Sequence, residues 1–67
     1  MLILLNHTPE TLPGDQLTIR EILKIKNFTF PNLVIKINSK VIRKADWDEY
    51  RVTEGDQVEI IHLISGG

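Results

Sequence analysis

The apolar positions of this chain follow two periods, and the switches between them divide it into elements. Leu2-Ile3-Leu4-Leu5 is an unbroken apolar run that stops at polar His7-Thr8-Pro9, and it predicts a buried strand through Asn6. Glu10-Thr11-Leu12 predicts a short second strand that pairs back on the first. Pro9 lacks a backbone donor, which places that strand at a sheet edge or at its own start. Pro13-Gly14-Asp15 then turns the chain.

The period changes at residue 18. Thr18-Ile19-Arg20-Glu21 fits a capping box, in which the Thr18 hydroxyl and the Glu21 carboxylate each satisfy a backbone donor at a helix start. Leu17 before the cap and Ile22 beyond it form the accompanying hydrophobic staple. Ile19, Ile22, Leu23 and Lys26 recur at helical spacing, which predicts a helix of about two to three turns with one apolar face. Asn27 is the expected terminator, and Phe28 with Phe30 seals the helix end before Pro31 forbids continuation.

Strand-like alternation returns at Leu33-Val34-Ile35-Lys36-Ile37-Asn38, a third strand expected well inside the sheet. Asn38-Ser39-Lys40 is a tight polar turn into a short fourth strand, Val41-Ile42-Arg43. Asp46 to Tyr50 reads as a turn or a single helical turn. Trp47 anchors that crossover, since apolar burial contributes about 25 cal/mol per Å². Thr53-Glu54-Gly55-Asp56 is a turn with Gly55 at a positive φ, and the last strand runs from Gln57 to about Leu63. This order predicts an α+β fold, a small mixed sheet of four to five strands with one helix packed across one face. The first and last strands are the most apolar, so they are expected side by side at the centre. The domain extends to Ile64, followed by a short tail, Ser65-Gly66-Gly67.

Composition narrows the function classes. With 67 residues and 42% hydrophobic content, the chain suffices for one compact core and no more. It has no cysteine, so it builds no disulfide, persulfide or thiolate–metal site. Eight basic and nine acidic residues are interspersed, giving a net charge of −1 without the basic block of a nucleic-acid binder or a polybasic membrane anchor. The opening Met1-Leu2-Ile3-Leu4-Leu5 is too short for a membrane span and lacks the flanks of a signal peptide. A soluble cytoplasmic protein is the expectation.

Candidate catalytic residues are few. His7 and His62 lie in different elements, and His62 reads as a strand residue rather than a base. Asp46, Asp48 and Glu49 beside Trp47 read as a solvated turn, without convergent residues to complete a metal site. Gly14 and Gly55 are isolated, so no glycine loop cradles a phosphate. The expectation is a protein that is not itself an enzyme and binds no cofactor or metal. What remains is the terminal carboxylate on Gly67. An α-carboxyl group ionises with a pKa of about 3.3–3.7, so it is a poor acyl electrophile until activated as an acyl-adenylate. Glycine suits such an end because a backbone without Cβ threads a narrow channel and approaches a nucleotide closely. If Val58 and Ile60 face the helix, Ile61 and Leu63 face away beside the tail and, with Ile64, form an apolar patch that either binds a partner or is covered by a loop or by a second copy of the chain.

Several features occur in register: Asn38, the pair Val41-Ile42, a basic residue ahead of Trp47, the run Glu54-Gly55-Asp56-Gln57-Val58-Glu59-Ile60, and terminal Gly66-Gly67. Over this half the chain resembles the bacterial thiamine-biosynthesis sulfur-carrier family, within the ubiquitin-like β-grasp superfamily. One departure is Arg43-Lys44, where the family usually has Pro-Arg, which weakens any bidentate role there. The resemblance implies a β-grasp fold and a Gly67 carboxylate adenylated with ATP by a partner of the ubiquitin-activating type. It implies conversion to a thiocarboxylate with sulfur from a cysteine desulfurase system, and donation to thiazole synthase. The small subunit of molybdopterin synthase is the nearest rival; its chains are generally longer, with prolines before the tail. A ubiquitin-like protein modifier or plain interaction module is a rival of another class.

Overall fold

Folding brings the first and last strands of the chain together at the centre of one sheet. The computed structural model describes residues 1–29 and 31–63. Strand β1 (Leu2–Leu5) turns through Asn6-His7 into β2 (Thr8–Thr11). Both turn residues have positive φ, 51° and 68°, which gives a tight hairpin its twist and starts β2 two residues earlier than Glu10. Pro9 pairs opposite Leu4 on this outermost strand, where its missing donor costs no ladder bond. Further on, β4 (Leu33–Ile37) and β5 (Lys40–Ile42) form a second hairpin, and β7 (Gln57–His62) lies between the two hairpins. The sheet order is β2-β1-β7-β4-β5, with β1 parallel to β7 and the other pairs antiparallel. First and last strands are therefore adjacent, as their apolar character suggested.

The helix α1 (Ile19–Ile25) is held at both ends by side-chain chemistry that the sequence announces. Thr18 Oγ1 accepts the Glu21 N–H at 3.2 Å, and Glu21 Oε1 accepts the Thr18 N–H at 2.9 Å, completing the capping box. The Ile19 and Arg20 donors go to the Tyr50 and Trp47 carbonyls, so this helix start has few orphan donors. The Thr18 bonds hold the exposed Glu21 carboxyl below its ordinary range, because they favour its charged form. At the other end Asn27 takes φ 58°, its N–H bonds the Lys24 carbonyl, and the Phe28 N–H reaches the Leu23 carbonyl. This is a Schellman ending with asparagine in the left-handed position. Phe28 packs on the core edge as expected; Phe30 lies outside the described residues.

The core lies between α1 and one sheet face. Ile3, Leu5, Ile35, Ile37 and Val58 from the sheet meet Ile19, Ile22 and Leu23 from the helix, and every one is buried. Lys26 continues the helix face but is half-buried, with its ammonium paired to Glu10 of β2. Trp47 is 4% exposed, and its indole N–H donates to the Ile42 carbonyl at 3.0 Å. It thereby ties the crossover to the end of β5. The one helical turn falls at Lys44–Asp46, slightly ahead of its expected place, and leads into Trp47. One unexpected element is a separate two-stranded sheet of β3 (Gln16–Thr18) and β6 (Arg51–Thr53), with Leu17 opposite buried Val52. Runs of three residues carry too little periodicity to stand out in sequence.

Candidate functional site

The strand that leads to the C-terminus begins in a dense polar clasp. Gly55, at φ 84°, turns the chain back on β1: its N–H bonds the Leu2 carbonyl at 2.8 Å, and Glu54 Oε1 accepts the Leu2 N–H at 2.8 Å. Asp56 uses both carboxylate oxygens. One accepts the Thr53 N–H at 2.9 Å, closing the turn, and the other accepts the Asn38 side-chain amide at 3.1 Å. Asn38, at φ 50°, also exchanges bonds with Gln57, whose N–H donates to Asn38 Oδ1 at 3.0 Å. The ladder continues along β1, where Leu4 and Asn6 donate to the Asp56 and Val58 carbonyls. Asn6 Oδ1 then takes the Ile60 N–H at 2.8 Å. The residues from Asn38 to Gln57 that stood out in the sequence therefore fix the start and direction of β7.

The far end of β7 is built differently. The β1 pairing stops at Val58, whereas β4 continues alongside to His62. Beyond the strand, the Leu63 N–H donates to the Asn32 carbonyl at 3.0 Å, and there the described chain ends. Ile61 (36% exposed) and Leu63 (52% exposed) lie on the sheet face away from the helix, with half-buried Val34 opposite Ile61. The expected split of β7 into a helix-facing set and an outward-facing set is thus observed. Ile64, Ser65, Gly66 and Gly67, the remaining expected patch and tail residues, lie outside the described residues.

The open face carries more apolar surface than the sequence suggested. Leu2 and Leu4 point to it at one end and Val41 at the β5 edge, each exposed. Between these and the Ile61 patch, Lys36 stands opposite Glu59. Leu2 and Leu4 were concealed because a continuous apolar run shows no alternation; the period-2 geometry of an outward face would have found them.

The other candidate groups do not converge. His7 sits exposed in the first hairpin turn, while His62 is at the far end of β7. Asp46 pairs with Arg43 and Asp48 with Arg20, in separate exposed ion pairs. Among the described residues no group of three His, Cys, Asp or Glu side chains could hold a metal, and no helix is long and apolar enough to cross a membrane.

Comparison with known proteins places this arrangement. The model of the ThiS family matches residues 3–67, nearly the whole chain. The crystal structure of the thiamine biosynthesis protein ThiS from Geobacter metallireducens superposes with a TM-score of 0.89 at 26% identity, covering 100% of both chains. An NMR solution structure of a thiamine biosynthesis protein from Geobacter metallireducens gives a TM-score of 0.80 at 26% identity, over 100% of this chain and 88% of that one. An uncharacterized protein, ycf40, from Trieres chinensis is 23% identical over 53 residues, 79% of this chain and 73% of its own length.

Proposed function

Since this chain belongs to the ThiS family of ubiquitin-like sulfur carriers, we propose that its Gly67 carboxylate is the atom group on which sulfur for thiazole formation in thiamine biosynthesis is carried. The observation that supports this most is the asymmetry of β7. One end is held on both flanks by side-chain and ladder bonds, and the other, alongside β4 alone among the described residues, carries an exposed apolar patch.

The chemistry is supplied by partners. A carboxylate oxygen of Gly67 attacks the α-phosphorus of ATP in an adenylyltransferase of the ubiquitin-activating type, and pyrophosphate leaves. A sulfur nucleophile derived from a cysteine desulfurase system then attacks the carbonyl carbon and expels AMP, which keeps the original oxygen. Where that nucleophile is a persulfide, a thiol cleaves the resulting acyl disulfide to leave the thiocarboxylate. Thiazole synthase is the acceptor. Ser65 and Gly66 give the tail a slender approach to the nucleotide, because glycine accepts backbone conformations closed to other residues. The open face around Ile61 and Leu63 is the docking surface for the activating and acceptor enzymes, and Ile64, next in sequence, adds a further apolar contact to them. On this reading the chain is a co-substrate working in the cytoplasm, with no cofactor of its own.

The decisive measurement is intact mass after incubation with ATP, activating enzyme and sulfur donor. The expected product has one C-terminal oxygen replaced by sulfur. Absence of that species under conditions that modify another carrier overturns the proposal, and an isopeptide adduct to a lysine identifies a protein modifier instead.

A further inference from the structure

A groove on the helix side of the fold has a lining that the tail chemistry does not use. It is an open cleft of about 540 Å³ between the exposed flank of α1, the loop into β4 and the turn carrying Trp47. Its apolar surface is offered by half-buried Phe28 and Leu33, backed by buried Leu23 and Trp47, and its rim carries Arg20, Lys24 and Lys44. Among the described residues no carboxylate lines it. Arg20 is paired with Asp48 and lies 5.3 Å from the Trp47 ring centroid. Lys24 and Lys44 are exposed and form no ion pair among the described residues.

We propose that this groove docks an acidic peptide segment bearing an apolar or aromatic side chain, contributed by a protein partner. The apolar surface takes the side chain and the cationic rim takes the carboxylates, the usual division between a desolvated centre and a charged edge. A nucleotide is a poorer fit. Trp47 is 4% exposed, its face is covered by Arg20 and its indole N–H is engaged by Ile42, so it offers a base no stacking surface. The helix-start donors of Ile19, Arg20 and Glu21 are also already taken.

Position gives the groove its use. Leu33 on the groove wall pairs with His62, and Leu63 bonds the carbonyl of Asn32, so the cleft adjoins the place where the chain leaves β7. It lies on the side of the sheet opposite Ile61 and Leu63. A partner gripping the tail is thus within reach of a second contact that leaves the open face untouched. This role in tail handling rests on the sulfur-carrier reading, whereas the binding itself is measured without any sulfur chemistry.

The test titrates the full chain with the capped peptide Glu-Asp-Phe-Glu-Asp-Leu and with its neutral counterpart Gln-Asn-Phe-Gln-Asn-Leu. Amide and indole chemical shifts and the fluorescence of Trp47, the sole tryptophan, are followed. The acidic peptide is expected to shift Trp47, Lys24 and Lys44 and to lose about tenfold in affinity between about 20 and about 300 mM salt. The neutral peptide, and the acidic peptide on the Lys24→Glu/Lys44→Glu variant, are expected to bind at least about tenfold more weakly. Ile61→Ser should bind as the parent does. Equal binding of both peptides, shifts centred on Ile61 and Leu63, or no shifts at all each overturn the proposal. So does a Trp47 shift on removing residues 64–67 with no peptide present, which would assign the groove to the chain's own tail.

Discussion

At its first residues β7 is gripped from both flanks: Asp56, Gln57 and Val58 exchange bonds with Asn38 on one side and β1 on the other, and Glu54 reaches back to Leu2. At its last residues β4 lies alongside one flank, the apolar side chains Ile61 and Leu63 face outward, and one backbone bond to Asn32 holds Leu63. The two ends of one strand thus differ in kind: one is a polar clasp and the other an apolar surface. The clasp sits where positive-φ turns at Asn38 and Gly55 would otherwise leave backbone groups unpaired. The exit, among the described residues, keeps the β4 ladder and turns Ile61 and Leu63 outward.

Substitutions at the two ends should therefore separate two readouts, transfer of sulfur and stability of the fold. Deleting Gly67, or appending a residue after it, is expected to abolish sulfur loading in the mass assay while leaving the thermal midpoint unchanged. Retained loading would break the division outright. Away from the tail, Trp47→Ala should cost about 3–5 kcal/mol in a denaturant titration, since it opens a cavity and leaves the Ile42 carbonyl without its donor. Within the clasp, Asn38→Ala should cost about 1–3 kcal/mol, because Asp56 and Gln57 lose their partner and alanine disfavours φ 50°. Each molecule that remains folded should load sulfur normally.

At the exit, Ile61→Ser should weaken binding to the activating enzyme by about tenfold while changing stability by no more than about 0.5 kcal/mol. A stability loss as large as that of Asn38→Ala would place Ile61 in the scaffold instead. The smallest effect is the pH dependence of the helix cap. Glu21 has its folded pKa lowered, chiefly by the Thr18 bonds, so its contribution is fully present above the ordinary value of 4.5 and fades as pH falls through the depressed one. Glu21→Gln keeps an acceptor for the Thr18 N–H and should flatten that slope in acid melts.

Sequence made the helix and the centre of the sheet legible because both depend on local rules. The capping box at Thr18, the asparagine at the helix end and the glycine in the Gly55 turn each state a backbone conformation. The β3–β6 pair was not legible, since its two short strands acquire meaning only once Leu17 and Val52 meet across a sequence gap. The outward leucines of β1 were hidden for the opposite reason, too much apolar character to show alternation. As for the candidate site, the motif residues Asn38 and Glu54 to Gln57 were found readily, and the structure uses them to anchor β7. The reading of Gly66-Gly67 rests on its chemistry alone, since that end lies outside the described residues. Ile61 and Leu63 fell between these cases: simple alternation along one strand sufficed to place them.

The parallel pairing of β1 with β7 also sets the order in which the molecule can assemble. Leu4 and Leu5 must wait for Gln57 and Val58, so the central ladder closes a loop of some fifty residues, among the longest closures this chain permits. As synthesis proceeds from the N-terminus, the first hairpin and the helix precede the strand that unites them. The last strand to be made is the one that completes the sheet. Completing the sheet and closing the core are then a single event: β7 takes its place only between two hairpins that are already made.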